Sequence, residues 1–271
     1  MLRADDVSIS RQGHQSMVRV FGTIHDGRDE FEPRQVNCLR SPKSHCADCY
    51  LSDRCLPSGL DDDAVRCFDE LIGRQRRLCK GDALFRAGTD FLAIYAIRFG
   101  SLKTTVTSEG GCEQVVGYHL PGEVIGCDGI TTNRHTCNAV ALEDVEICVA
   151  PFRQLEAMGA ENAVLQQNIR KILGREISRN QAHAGLLRGM TAEHRVASFL
   201  LDLSERYRRL GYSTTELVLR VSRSEIGSYL GLKVETVSRI FSRLQADGYI
   251  EIQGRTVRLL HAPTLTAMLG K

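Results

Sequence analysis

Three thiols crowd one short stretch of this 271-residue chain: Cys46, Cys49 and Cys55, spaced C-x2-C-x5-C within VNCLRSPKSHCADCYLSDRCLPSG. Thiolates so close in sequence can converge on a soft metal centre without long-range folding. A fourth ligand has two candidates. Cys38 lies eight residues upstream of Cys46 and would close a local four-thiolate site, whereas Cys148 sits in a strand-like run just before Pro151. Inert loop cysteines are the plain alternative, yet thiols set among Pro, Ser and Asp have little to pack against. On chemistry alone, zinc and an iron–sulfur centre both stay open. Cys67, Cys79, Cys112, Cys127 and Cys137 are scattered singly and read as small buried apolar residues or incidental thiols.

A second set of residues suits the reading of bases. Ser222 precedes RSEIGSYLG with Glu225 three residues on, a capping box that opens a short helix. Gly231 and Leu232 make a turn, and KVETVSRIFSRLQADG then runs as a second helix to Gly248. With Ile226, Leu230, Leu232, Val237, Ile240 and Leu244 turned inward, Glu235, Ser238, Arg239 and Ser242 share the opposite face. A helix-turn-helix lays such a second helix in the major groove of double-stranded DNA. There Arg239 can bond guanine O6 and N7, Glu235 can accept from cytosine N4, and Ser238 can serve either base. Lys233, Arg243 and Arg223, with Arg255 and Arg258 of a following hairpin, are candidates for phosphate contacts. A solvated basic surface would not need a cap, a turn, a core and a polar reading face together.

The elements that position these residues follow from pattern. Between 75 and 152, short β-rich runs (FLAIYAI, SLKTTVT, EQVVGYHL, CNAVAL, VEICVA) alternate with turn signals at Gly88, Gly100, Gly110–Gly111, Pro121–Gly122 and Asn133, as in an antiparallel barrel or jelly roll. From 161 to 188 the period becomes helical, with Leu165, Ile169, Ile172, Leu173, Ile177, Ala184 and Leu187 on one stripe. Such a stripe either packs on the barrel or pairs with a second copy, and two-fold pairing is favoured. The hairpin YIEIQGRTVRLL, with Gln253–Gly254 at its turn, ends the pattern.

Composition sets the outer limits. With 25% charged and 42% hydrophobic residues the chain is globular rather than disordered. The formal net charge of +2 hides an asymmetry: Leu186 to Lys271 holds 13 Lys/Arg against 8 Asp/Glu, the remainder 22 against 25. A basic C-terminal third fits nucleic-acid contact. No run of eighteen apolar residues exists and MLRADDVSIS has no apolar core, so no membrane association, no secretion and a reducing cytoplasmic setting are expected. There the ten cysteines are poor candidates for structural disulfides. No Ser/His/Asp constellation, Gly-rich phosphate loop or His-rich ligand set points to an enzyme.

In this order the features resemble the cyclic-AMP receptor family of bacterial transcription regulators, and most closely its oxygen-sensing branch, the fumarate-and-nitrate-reduction (FNR) regulators. The matching stretches are HCADCYLSDRCLP, KGDALFRAG, IYAIRFG, EQVVGYHLPGEVIG, CVAPF and IGSYLGLKVETVSR, within roughly residues 38–265. The resemblance implies an α+β fold: an N-terminal cyclic-nucleotide-binding-like jelly-roll sensor, a long dimerisation helix and a C-terminal winged helix-turn-helix. The expected limits are a flexible tail at 1–37, a cysteine segment at 38–59, the barrel at 60–158, the dimer helix at 159–188 and the DNA-binding domain at 189–271. It implies a [4Fe–4S] cluster on Cys46, Cys49, Cys55 and Cys148, placing Cys148 above Cys38 and iron–sulfur above zinc. It implies base reading by Glu235, Ser238 and Arg239 at a palindrome of TTGAT-like half-sites, bound by a homodimer that then positions RNA polymerase. The dimer seam would use Ile169, Ile172, Leu173, Ile177 and Asn180. Asn180 stands where such regulators often carry an acid, so this dimer is expected to depend less on its cluster. Where the nucleotide-binding branch carries an Arg–Ser pair for phosphate, this chain has Cys137–Asn138, which makes cyclic AMP an unlikely effector. The alternative is a cluster-independent or zinc-stabilised regulator of the same family that answers another redox or small-molecule signal.

Overall fold

The computed structural model describes residues 45–72 and 75–268; the tail expected at 1–37 and the candidate ligand Cys38 lie outside the described residues. Two 3-10 turns, Cys46–Asp48 and Ser52–Arg54, carry the cysteine segment into helix α1 (Asp62–Ile72). Asp61 caps α1 by accepting the Ala64 N–H at 2.8 Å, and Asp62 and Asp63 add favourable negative charge to its first turn.

Eight strands then build two antiparallel sheets. They are β1 (Gln75–Leu78), β2 (Ala83–Phe85), β3 (Ala93–Phe99), β4 (Leu102–Thr107), β5 (Glu113–His119), β6 (Val124–Ile125), β7 (Asn138–Ala141) and β8 (Val145–Pro151). The orders β1-β8-β3-β6 and β2-β7-β4-β5 are those of the expected jelly roll, in which two sheets cover each other's apolar faces. Leu102, Ala139, Ile147 and Ile97 fill the space between them.

Helix α2 (Phe152–Glu161) leaves the barrel and stops at Asn162, whose backbone turns extended and whose Oδ1 accepts the Leu165 N–H at 3.0 Å. The long helix α3 therefore runs Ala163–Gly189, starting after the expected limit of 159 and two residues after the helical period expected from 161. The polar break at Asn162 interrupts a periodicity that reads as continuous. The apolar stripe is also divided. Leu165 is buried, and Ile169 and Ile172 pack into a core with Leu56, Phe68 and Leu155, so the first turns of the expected dimer seam are covered by the chain itself. Leu173 is half-buried, whereas Ile177 (58% exposed) and Asn180 face outward.

Thr191 caps α4 (Ala192–Arg209), which is followed by β9 (Glu216–Val218), α5 (Arg223–Leu230), α6 (Val234–Ala246), β10 (Ile250–Gln253), β11 (Thr256–Leu259) and α7 (Ala262–Met268). Gln253 pairs with Thr256, so the wing turns at Gly254–Arg255 and not at Gln253–Gly254. β9 adds a third strand to the wing that its three residues did not announce. The apolar core of this domain continues into the barrel through Val115, Tyr118, Leu120 and Leu142. Among the described residues no helix is long and apolar enough to cross a membrane.

Candidate functional site

The cysteine segment is held in place before any metal is considered. Leu51 and Leu56 are buried, and Asn168 of α3 donates to the carbonyls of Leu56 (3.0 Å) and Ser58 (2.7 Å). On the other side Asp69 of α1 accepts the Cys46 N–H at 2.7 Å and meets His45 Nδ1 at 3.1 Å. Successive turns, Cys49 N–H to Cys46 O and Cys55 N–H to Leu51 O, wind the loop so that its thiols share one side.

That side faces β8. Cys148, in register with Gln75 and Ala96, lines the same small apolar pocket as Cys46, Cys49 and Cys55, together with Leu51, Ile97 and Arg98. Burial, followed by the neighbouring thiols, pushes Cys55 up to about 12 and Cys148 up to about 11. Cys46 is pushed up by burial and by the Asp69 carboxylate. The thiols of Cys46, Cys55 and Cys148 thus rest protonated, and a thiophilic metal taking them would displace protons into solvent. Among the described residues no three His, Cys, Asp or Glu side chains come together closely enough to hold a single ion. The four thiols stand around one pocket. Arg98, which no spacing argument had singled out, adds the one guanidinium of this pocket and is bonded by Glu146.

The remaining cysteines behave as scattered residues do. Cys67 and Cys112 are exposed and only Cys137 is buried among those described, so the buried reading fails for the first two. At the Cys137–Asn138 pair, the Cys137 thiol and four neighbouring groups turn to Asp128, which accepts the Thr136 N–H at 2.6 Å and meets His135 Nδ1 at 3.1 Å. Asn138 accepts from Ala87 N–H at 3.0 Å. The Cys137 side chain is thus engaged with a carboxylate and the Asn138 amide with a backbone N–H.

The reading domain has the geometry its sequence promised. The capping box is closed in both directions, with Glu225 N–H to Ser222 Oγ at 3.2 Å and Ser222 N–H to Glu225 Oε2 at 2.8 Å. Gly231 takes a left-handed turn (φ +64°), and a Cβ at Gly227 would meet the Leu232 carbonyl at 2.6 Å, so both ends of the turn require glycine. Ile226, Leu230, Val237, Ile240 and Leu244 are buried and Leu232 partly so, which leaves Glu235, Ser238, Arg239 and Ser242 exposed on α6. Lys233 is exposed at the helix start. Two of the expected phosphate contacts already have partners within the chain. Arg223 lies 3.4 Å over the Phe241 ring, half-buried, and Arg258 is tied across the wing to Glu216 and Glu251. Arg243 pairs with Glu193 but stays exposed.

A jelly roll bearing a long helix and a winged helix-turn-helix defines a DNA-binding transcription regulator. Residues 75–162 match the cyclic nucleotide-binding domain and residues 194–268 the Crp-like helix-turn-helix domain. The chain is 43% identical over 233 residues to the transcriptional regulatory protein btr of Bordetella pertussis, covering 86% of this chain and 96% of that one. It is 41% identical over 228 residues to the transcriptional activator protein FnrA of Stutzerimonas stutzeri, covering 84% and 93%. Against the fumarate and nitrate reduction regulatory protein of Salmonella typhimurium the identity is 36% over 226 residues, covering 83% and 90%. The structure of FixK2 from Bradyrhizobium japonicum superposes with a TM-score of 0.66 at 26% identity, covering 72% of this chain and 96% of that chain. The chain belongs to the CRP/FNR family of transcription regulators.

Proposed function

We propose that this regulator senses oxygen through a [4Fe–4S] cluster held by Cys46, Cys49, Cys55 and Cys148, and binds palindromic TTGAT-like operators as a homodimer when oxygen is low. The observation that carries the reading is the meeting of Cys148, from a barrel strand, with the three loop thiols at one pocket. The names of similar proteins support it, among them an anaerobic regulatory protein of Haemophilus influenzae at 40% identity over 226 residues. When bound, the cluster supplies an oxygen-labile bond between loop and barrel. The chain's own residues do the rest. Asn168 ties the loop to α3, so order in the loop is order at the start of the helix whose outer face, Leu173, Ile177 and Asn180, is free to pair. Glu235, Ser238 and Arg239 then read bases, Lys233 and Arg243 meet phosphates, and the DNA-bound dimer engages RNA polymerase to control anaerobic or microaerobic genes. Asp128 beside Cys137 argues against cyclic AMP as the effector. The setting is a reducing cytoplasm.

Anaerobic purification tests the reading. A brown protein with about four irons and four sulfides per chain, bleached by air and lost in Cys148→Ala, is expected. A colourless protein with one zinc, or a cluster that survives Cys148→Ala but not Cys38→Ala, overturns the ligand assignment.

A further inference from the structure

Five hydrogen bonds converge on one part-buried carboxylate where barrel, long helix and reading domain meet. Glu123, in the turn before β6, accepts from Arg206 of α4 at 3.0 Å (Nε to Oε1) and 2.8 Å (Nη2 to Oε2). It accepts from Arg179 of α3 at 2.9 Å (Nη2 to Oε1) and 3.3 Å (Nη1 to Oε2), and from its own turn through the Leu120 N–H at 3.0 Å. Arg206 also donates to the Tyr118 carbonyl at 2.6 Å. Burial works against the carboxylate's charge, but the two guanidiniums outweigh it and hold Glu123 below the ordinary range. Bidentate pairing on both sides makes the joint directional as well as strong.

The joint acts beside a second tie at the hinge. Only Met190 and Thr191 separate α3 from α4, and Arg195 of α4 spans the link, donating to the carbonyls of Leu187 (2.7 Å), Met190 (3.0 Å) and Leu230 (3.0 Å). Contacts between the reading domain and the barrel add to it. Lys103 of β4 donates to Glu225 of the capping box at 2.9 Å, and the Val115 N–H of β5 donates to Ser228 of α5 at 2.9 Å. These dock α5 against the barrel, and the base-reading side chains of α6 remain exposed. Glu123 alone of these barrel groups touches α3 as well, and α3 is the helix whose outer face pairs two copies.

We propose that Glu123 is a positioning residue for DNA binding: through Arg206 and Arg179 it locks the reading domain at a fixed angle to the dimer helix, which sets the spacing of the two recognition helices. A two-fold operator accepts recognition helices only about one helical turn, ~34–36 Å, apart, so an angle free to wander forfeits affinity. The inference rests on the homodimer part of the proposed function and is independent of the cysteine centre.

The test uses the full chain, purified anaerobically, with Glu123→Gln and Arg206→Lys, on palindromic duplexes of TTGAT-like half-sites at native spacing and with one base pair inserted. Dimerisation is followed by sedimentation and iron by analysis. Both variants are expected to keep the parent's dimer constant and iron content, and to bind the native-spaced duplex about 5–150-fold more weakly. They are also expected to lose the parent's preference for native over lengthened spacing, which a general loss of stability would not produce. Unchanged affinity and spacing preference would overturn the proposal. So would tighter binding, which would make the docked pose the silent one, or a loss of affinity that follows loss of the dimer. A parent that carries no cluster yet shows the spacing effect would separate a failure of the cysteine reading from this one. Should Glu123→Gln not fold, Arg206→Lys, which keeps a cation but not the bidentate geometry, carries the same readouts.

Discussion

Arg239 stands in the open on α6, its Nε only loosely held by the Glu235 carbonyl at 3.4 Å, so its guanidinium is free for a guanine edge. Arg239→Ala should weaken operator binding by about 1–3 kcal/mol and relax the preference at one base pair of each half-site, with no change in melting temperature. Binding that weakens equally on all sequences would make Arg239 a phosphate contact instead. At this scale the exposed polar face of α6 was legible in the sequence because capping, turn and burial are local: Ser222, Glu225 and Gly231 reveal themselves within a few residues of each other. The cysteines were legible only in part. The spacing of Cys46, Cys49 and Cys55 is local, but Cys148 is brought beside them by strand pairing across the barrel, which no short-range signal reports. The neighbour of Arg223 was not legible for a related reason, because Phe241 lies on the following helix and brings its ring beneath the guanidinium only in the folded domain.

Helix α3 serves two masters along its length. Its first turns, with Leu165, Asn168, Ile169 and Ile172, close over the cysteine segment and the barrel, and further along Ile177 is left 58% exposed. Periodicity gave the helix but could not apportion its stripe, since a heptad-like pattern looks the same whether its partner is the same chain or another. The strands were legible because Gly and Asn mark their turns, whereas β9 and the break at Asn162 were not: three residues carry little pattern, and one polar residue within a helical run is ordinary. Charge on the exposed turn therefore separates the two roles. Ile177→Glu should abolish dimerisation and with it operator binding, with the monomer's stability changed by less than about 0.5 kcal/mol as for other surface positions. Sedimentation with a denaturant melt checks it. A dimer that persists in Ile177→Glu would move the seam elsewhere on the molecule.

Among the described residues one apolar cluster reaches from Val115, Tyr118, Leu120 and Leu142 of the barrel to the wing, and the buried charges beside it make that seam sensitive to acid. His119 of β5 lies behind the Glu123 joint, with Thr104 Oγ1 3.1 Å from its Nε2. Burial first, then Arg179 and Arg206, drive its pKa down to about 3, while Glu123 and Asp128 pull the other way without prevailing. The folded chain thus cannot take a proton that the unfolded chain accepts below pH ~6.5. A base whose folded value is depressed loses stability as pH falls, so the cost should begin near pH 6.5 and grow toward pH 3 at up to about 1.4 kcal/mol per unit for this one group. His183, also depressed by burial, adds in the same direction, and Glu123, held low by its two arginines, adds only at lower pH. Glu176, raised by burial, gains stability as pH falls and works the other way, so between pH 6.5 and 5 it is the difference between the parent and His119→Asn that isolates His119. Denaturant melts at fixed ionic strength should give a parent slope steeper than the variant's by close to one proton. Equal slopes would mean that His119 takes its proton in the folded state, and that the space behind Glu123 is open to water.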